Sequence, residues 1–207
     1  VITLDKFLNL TVEKQKTIID AALKMFGTNG YKKTSASDIA SAAGISKAMI
    51  FHYFGTKKGL YLYLIDYSAN LLFSEINEKF DYRVSDFFER IRLSSYIEIS
   101  VMKKHPGIPS FLSSMYFEQD EEVKEDIKVM LSKGEGLRNS LAFKGVDCSK
   151  FKESVDLKVV MKMLSWIGDG YAKQLSNEEN TDYDVMMKEF DECLNLLKNN
   201  LYKEEYT

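Results

Sequence analysis

The stretch TSASDIASAAGISKAMIFHYFG, residues 34–55, decides the fold. Ser35 and Asp38 fit the S-x-x-D spacing of a capping box, so a helix starts just after Ser35. Ile39, Ala40 and Ala43 form its inner face, and Gly44 stops it. Ile45 alone separates Gly44 from Ser46, the next N-cap, and a further helix follows from Lys47 to about Tyr53. Two short helices joined by a tight glycine turn make a helix-turn-helix. Small residues at Ala40, Ala43 and Ala48 let the two helices approach closely.

Upstream, Thr11 caps a helix predicted over 12–26. Ile18, Ala22 and Phe26 make its stripe, widened by Ile19 and Leu23, and Gly27 and Gly30 are expected to end it. Downstream, Gly55 closes the Lys47 helix and Thr56 caps a long amphipathic one, marked by Leu60, Leu64, Tyr67 and Leu71, to about Phe80. Helices are then expected over 84–104, 110–117, 119–141, 154–175 and 183–201. The stretch 105–109, with Pro106 and Pro109, breaks the series. Residues 143–152 are expected as loop, and the polar stretch 176–182 joins the last two helices. No strand alternation, repeat or low-complexity tract interrupts this pattern. The expected class is all-α: a helix-turn-helix domain over 1–60 and a helical domain over 61–207.

Composition narrows the function. The chain has 207 residues, 45% apolar and 29% charged, with 2 prolines. At this size about 70% of the unfolded chain's surface is buried on folding, so neither disulfide nor metal is needed. No apolar run nears the ~18 residues of a membrane span, and residues 1–11 lack an apolar core of signal-peptide type. Cys148 and Cys193 form no disulfide framework or metal spacing. Two histidines make no metal centre, so a cytoplasmic protein without metal or cofactor is expected. A P-loop and a dinucleotide fingerprint are both missing. Glu121-Glu122 reads as a solvated pair, and His105 beside Pro106 is a poor base for a triad, so no enzyme is expected. The net charge is −3, but it divides into +5 over residues 1–60 and −8 over 61–207. A basic head on an acidic body suits a polyanion at one end.

The constellation Thr34-Ser35, Asp38-Ile39-Ala40, Ala43-Gly44-Ile45-Ser46-Lys47, Phe51-His52-Tyr53-Phe54, Lys57-Lys58 and Leu60 resembles the DNA-binding domain of the tetracycline-repressor (TetR) family. So does the first helix ending in Phe26, with Gly30-Tyr31 after it. The match covers about Lys14 to Leu64, and several spacings agree at once. The resemblance implies a reading head of three helices and a dimerising, ligand-binding body. It implies a homodimeric regulator, most simply a repressor, that binds a palindromic double-stranded DNA operator and is released by a small molecule.

A recognition helix must enter a groove about 12 Å wide, and Ser46, Lys47 and Ala48 give it a short, positive leading end. Ser46 caps and can donate to phosphate; Lys47 points outward toward phosphate or a base edge. Phe51 stands where the family usually has tyrosine; its ring can pack on a thymine methyl or sugar. By resemblance, His52, Tyr53 and Lys57 contact the phosphate backbone. Ser37 stands where some relatives read a base with a longer side chain, and Thr34 and Ser35 are caps first and phosphate donors second.

In the body, Tyr96, Met102, Phe111, Met115, Tyr116, Phe117, Met130 and Trp166 mix aromatic, thioether and polar groups as small-molecule sites do. Ordinary core uses the same residues. Glu98, Glu118 and Asp169 are the acids that could meet a cationic ligand. Met163, Trp166 and Gly170, with Met186, Phe190, Leu194 and Leu197 on the last helix, look like the two helices that pair with a second chain. The competing expectation is a helical binding or scaffold module that does not act on DNA.

Overall fold

A computed structural model describes residues 4–177 and 181–206, with side chains of 175–177 not described. Among the described residues there are ten α-helices and no strand: α1 Leu4–Leu8, α2 Val12–Lys33, α3 Ala36–Ala42, α4 Lys47–Phe54, α5 Lys57–Lys79, α6 Phe87–Lys104, α7 Gly107–Tyr116, α8 Lys124–Phe143, α9 Leu157–Asn177 and α10 Tyr183–Leu201. The all-helical class is as expected. Of the predicted joining stretch 176–182, residues 178–180 lie outside the described residues.

The chain divides into two compact units. The described residues of Val1–Leu71 pack with His105–Ser132; those of Leu72–Lys104 pack with Lys133–Thr207. Packing therefore groups residues 61–71 and 105–132 with the helix-turn-helix.

The first unit is built on α2. Ile18, Ala22, Leu23 and Phe26 are buried as their spacing requires, and α7 lies along them. Gly27 does not end the helix, contrary to the sequence expectation. It stays helical and admits α7: a Cβ there would lie 2.6 Å from Ser110 Oγ and 3.0 Å from the Phe111 nitrogen. The break comes at Gly30, with φ 74° and ψ 173°. Pro109 lies inside α7, not before it. As the third helical residue it loses no hydrogen bond, because the first-turn N–H groups have no intrahelical partner. α1 carried no periodic signal in the sequence, yet its Phe7 is wholly buried, 4.8 Å from the Phe54 ring and 5.9 Å from the Tyr53 ring.

In the second unit α6 begins at Phe87, three residues later than expected. Asp86 holds its start, accepting from the Glu89 N–H at 3.2 Å. The same carboxylate accepts from Lys150 Nζ at 2.9 Å and from the Tyr202 hydroxyl at 3.2 Å. It thereby pins the 148–151 segment and the chain's C-terminal end to α6. Phe87, Phe88, Phe151, Leu194 and Tyr202 form the core beside it. Arg90 is fully buried, and among the described residues no carboxylate pairs with it. It donates to the Leu141 and Val84 carbonyls at 2.6 and 2.7 Å and stands 4.9 Å from the Phe80 ring centroid.

Candidate nucleic-acid interface

The helix-turn-helix is set by local hydrogen bonds. The Asp38 N–H donates to Ser35 Oγ at 3.2 Å, and the Ser35 N–H donates back to Asp38 Oδ2 at 3.0 Å: the full capping box. The Ser35 hydroxyl also donates to that carboxylate and holds its pKa below the usual range. Ser46 Oγ accepts from the Met49 N–H, starting α4. Ile39, Ile50 and Phe54 anchor both helices in the unit's core.

This anchoring turns one face of α4 outward. Ser46, Lys47, Ala48, Phe51 and His52 are exposed, as are Ser35 and Ser37 at the start of α3. Phe51 is 41% exposed, with Lys47 Nζ 5.8 Å from its ring centroid. The remaining predicted contacts sit differently. Tyr53 is buried, its ring covered by α1. Thr34 is buried, and its hydroxyl donates to the Gly30 and Met25 carbonyls at 2.7 and 3.0 Å, tying the end of α2 together. Lys57 is half-buried; its ammonium donates to the Tyr31 carbonyl at 3.0 Å and stands 4.0 Å from the Tyr31 ring centroid. Lys58 pairs with Asp126 at 2.8 Å.

The predicted pocket residues divide between the units. Phe111, Met115 and Met130 pack into the first unit's core, while Tyr116 and Phe117 end α7 as an exposed pair of rings. In the second unit, Met102 packs with Ile99, Met186 and Met187. Tyr96 is exposed and donates to Asp191 at 2.8 Å, and Trp166 is exposed. Of the acids weighed for a cation, Glu118 is occupied by backbone N–H groups. Glu98 has its pKa raised by burial, against the pull of Arg138.

The two predicted interface helices also differ from each other. On α9, Val159, Met163, Trp166 and Gly170 recur at helical spacing and are all exposed, Trp166 by 61%. On α10, Met186 and Leu194 are buried inside the chain and Phe190 and Leu197 pack on the same clusters. Their stripe faces α6. Val185 and Leu196 are the large apolar side chains that α10 leaves exposed. Sequence periodicity finds a stripe but not which neighbour covers it.

Fold and head together define an all-helical protein with an outward-facing helix-turn-helix. Residues 18–64 match the model of the family described as bacterial regulatory proteins, tetR family, the same stretch that carries the sequence resemblance. The HTH-type transcriptional regulator YuxN of Bacillus subtilis is 41% identical over 64 residues, 31% of this chain and 22% of that protein, so the chain spans about a fifth of that relative's length. A TetR family transcriptional regulator from Chloroflexus aurantiacus superposes with TM-score 0.73 at 18% identity, over 97% of this chain and 98% of that one. The regulator FadR from Bacillus subtilis, solved in complex with stearoyl-CoA, superposes with TM-score 0.67 at 19% identity, over 86% and 96%. These structural likenesses show a common fold over 97% and 86% of the chain. Among the described residues no helix is long and apolar enough to cross a membrane.

Proposed function

We propose that the chain is a homodimeric, cytoplasmic, DNA-binding transcriptional regulator with no catalytic activity of its own. In this account it is a repressor that a small molecule releases from its operator. Residues 1–60 read DNA and residues 61–207 dimerise and bind ligand. The observation that carries the proposal is the α4 face: five consecutive or near-consecutive exposed residues, short at the leading end and basic at Lys47, held on a buried apolar anchor. Lys32 and Lys33 add exposed positive charge beside α3. Short side chains and cations on a rigid helix are what a major groove admits. The α9 strip is the surface offered to the second copy. That a FadR structure holds stearoyl-CoA supports a small-molecule effector for this fold. The effector shifts occupancy only if it binds the released state more tightly, so operator and effector must weaken each other's binding.

Selection of bound duplex from a random pool, followed by titration at two salt concentrations, tests the proposal. The expected result is an enriched sequence whose affinity falls steeply as salt rises. Failure to bind any duplex, or binding insensitive to salt, favours the scaffold module instead.

A further inference from the structure

We infer that Glu118 is a positioning residue for DNA binding: from the turn after α7 it holds Tyr31 by its backbone N–H, and the carbonyl and ring of Tyr31 hold the ammonium of Lys57. The inference rests on the DNA-binding proposal above and concerns the first unit alone. Gly30 breaks α2 with a positive φ, and a Cβ there would lie 3.3 Å from Glu118 Oε2. One residue on, the Tyr31 N–H donates to that same oxygen at 2.8 Å. The other oxygen, Oε1, accepts from the N–H groups of Gln119 and Asp120 at 3.0 and 2.9 Å. Three backbone donors thus orient one carboxylate, and its local pair holds it still before it reaches across to Tyr31.

The far side of Tyr31 carries the consequence. Its carbonyl accepts from Lys57 Nζ at 3.0 Å and from the Thr34 N–H at 3.4 Å, and its ring lies beneath the Lys57 ammonium. The ring cannot swing away, being buried and packed against Tyr61 at 4.9 Å and Phe26 at 6.1 Å. A lysine at the start of a helix is normally a flexible side chain with much rotamer freedom to lose, set against the helix dipole. Here a carbonyl and a ring face hold the ammonium, and only one of its three N–H donors is needed for that carbonyl. A phosphate then meets a charge already in place, and less entropy is lost on binding.

Four proteins decide the matter: the unaltered chain, Glu118→Ala, Lys57→Ala and the double variant, each titrated with the selected duplex over a range of salt. Glu118→Ala is expected to weaken binding roughly threefold to tenfold in the Lys57 background and to have no further effect once Lys57 is alanine. A purely structural role would cost the same in both backgrounds, and that result overturns the inference, as does undiminished binding by Glu118→Ala. Glu118→Gln keeps an oxygen for one set of donors only and is expected to fall between. It serves if the alanine variant does not fold. Hydrogen exchange at the Tyr31 amide, measured without DNA, separates the two levels. Exchange in Glu118→Ala no faster than in the unaltered chain overturns the clamp itself. A protected Tyr31 amide in a chain that binds no duplex overturns the DNA-binding proposal and, with it, the positioning role.

Discussion

Phe51 and Tyr53 are two residues apart on one short helix, and the structure separates them completely: one ring faces outward and the other lies under Phe7. For most contacts in the head, spacing within α3 and α4 was enough to tell outward from inward. Tyr53, which the resemblance sets at the phosphate backbone, is covered by a residue from a five-residue helix with no periodic pattern of its own. Phe7→Ala is therefore expected to cost about 3–5 kcal/mol of stability in denaturant titration, as removal of a buried ring does. A loss below about 1 kcal/mol would show that α1 does not cover the head. Lys57→Ala is expected to weaken binding on all duplexes alike and to flatten the salt slope by about one unit. Altered sequence preference at unchanged affinity would contradict a phosphate contact. A pH effect belongs at this scale too. Lys104 and Lys79 hold the Glu75 carboxyl at about 2, against 4.5 for a free side chain. A depressed carboxyl stabilises the fold above its unfolded pKa and loses that contribution as pH falls. The contribution is thus expected to be full above pH 4.5 and to fade toward pH 2. Acid unfolding of Glu75→Gln, compared with the unaltered chain, should lack that part of the pH dependence; coincident curves would contradict it.

Elements bounded by side-chain caps were the most legible. The Ser35–Asp38 pair and Ser46 located α3 and α4, since both caps act within four residues and need no tertiary partner. Elements whose bounds depend on a neighbour depart from the sequence expectation. α2 runs through Gly27 because α7 needs the space, and α7 takes in Pro109 because a first turn tolerates proline. The α10 stripe was legible as apolar, but its partner is α6 of the same chain. Glu118 is legible only as an acid that could meet a cation: its bond to a backbone N–H eighty-seven residues away has no sequence signal. Ser35→Ala removes the capping box and is expected to lower stability by about 1 kcal/mol in thermal or denaturant unfolding. No change in the midpoint would show that the box is dispensable.

For the whole molecule, the proposed function requires two heads, since a two-fold dimer presents two recognition helices about 34–36 Å apart, one per half-site. In the proposed dimer the exposed strip of α9 is the pairing surface, and Trp166 is its largest member. Trp166→Asp is expected to yield monomers in analytical ultracentrifugation and to reduce duplex affinity by at least about tenfold, since large aromatic residues commonly dominate interfaces. A variant that remains dimeric would place the interface elsewhere. The central claim, that the α4 face reads DNA in duplicate, is tested most directly by footprinting the unaltered chain on the duplex selected from a random pool. The account predicts two protected, inverted half-sites whose centres lie one helical turn or a whole number of turns apart, occupied by two chains. A single unrepeated site bound by one chain, or no protected sequence, would contradict it.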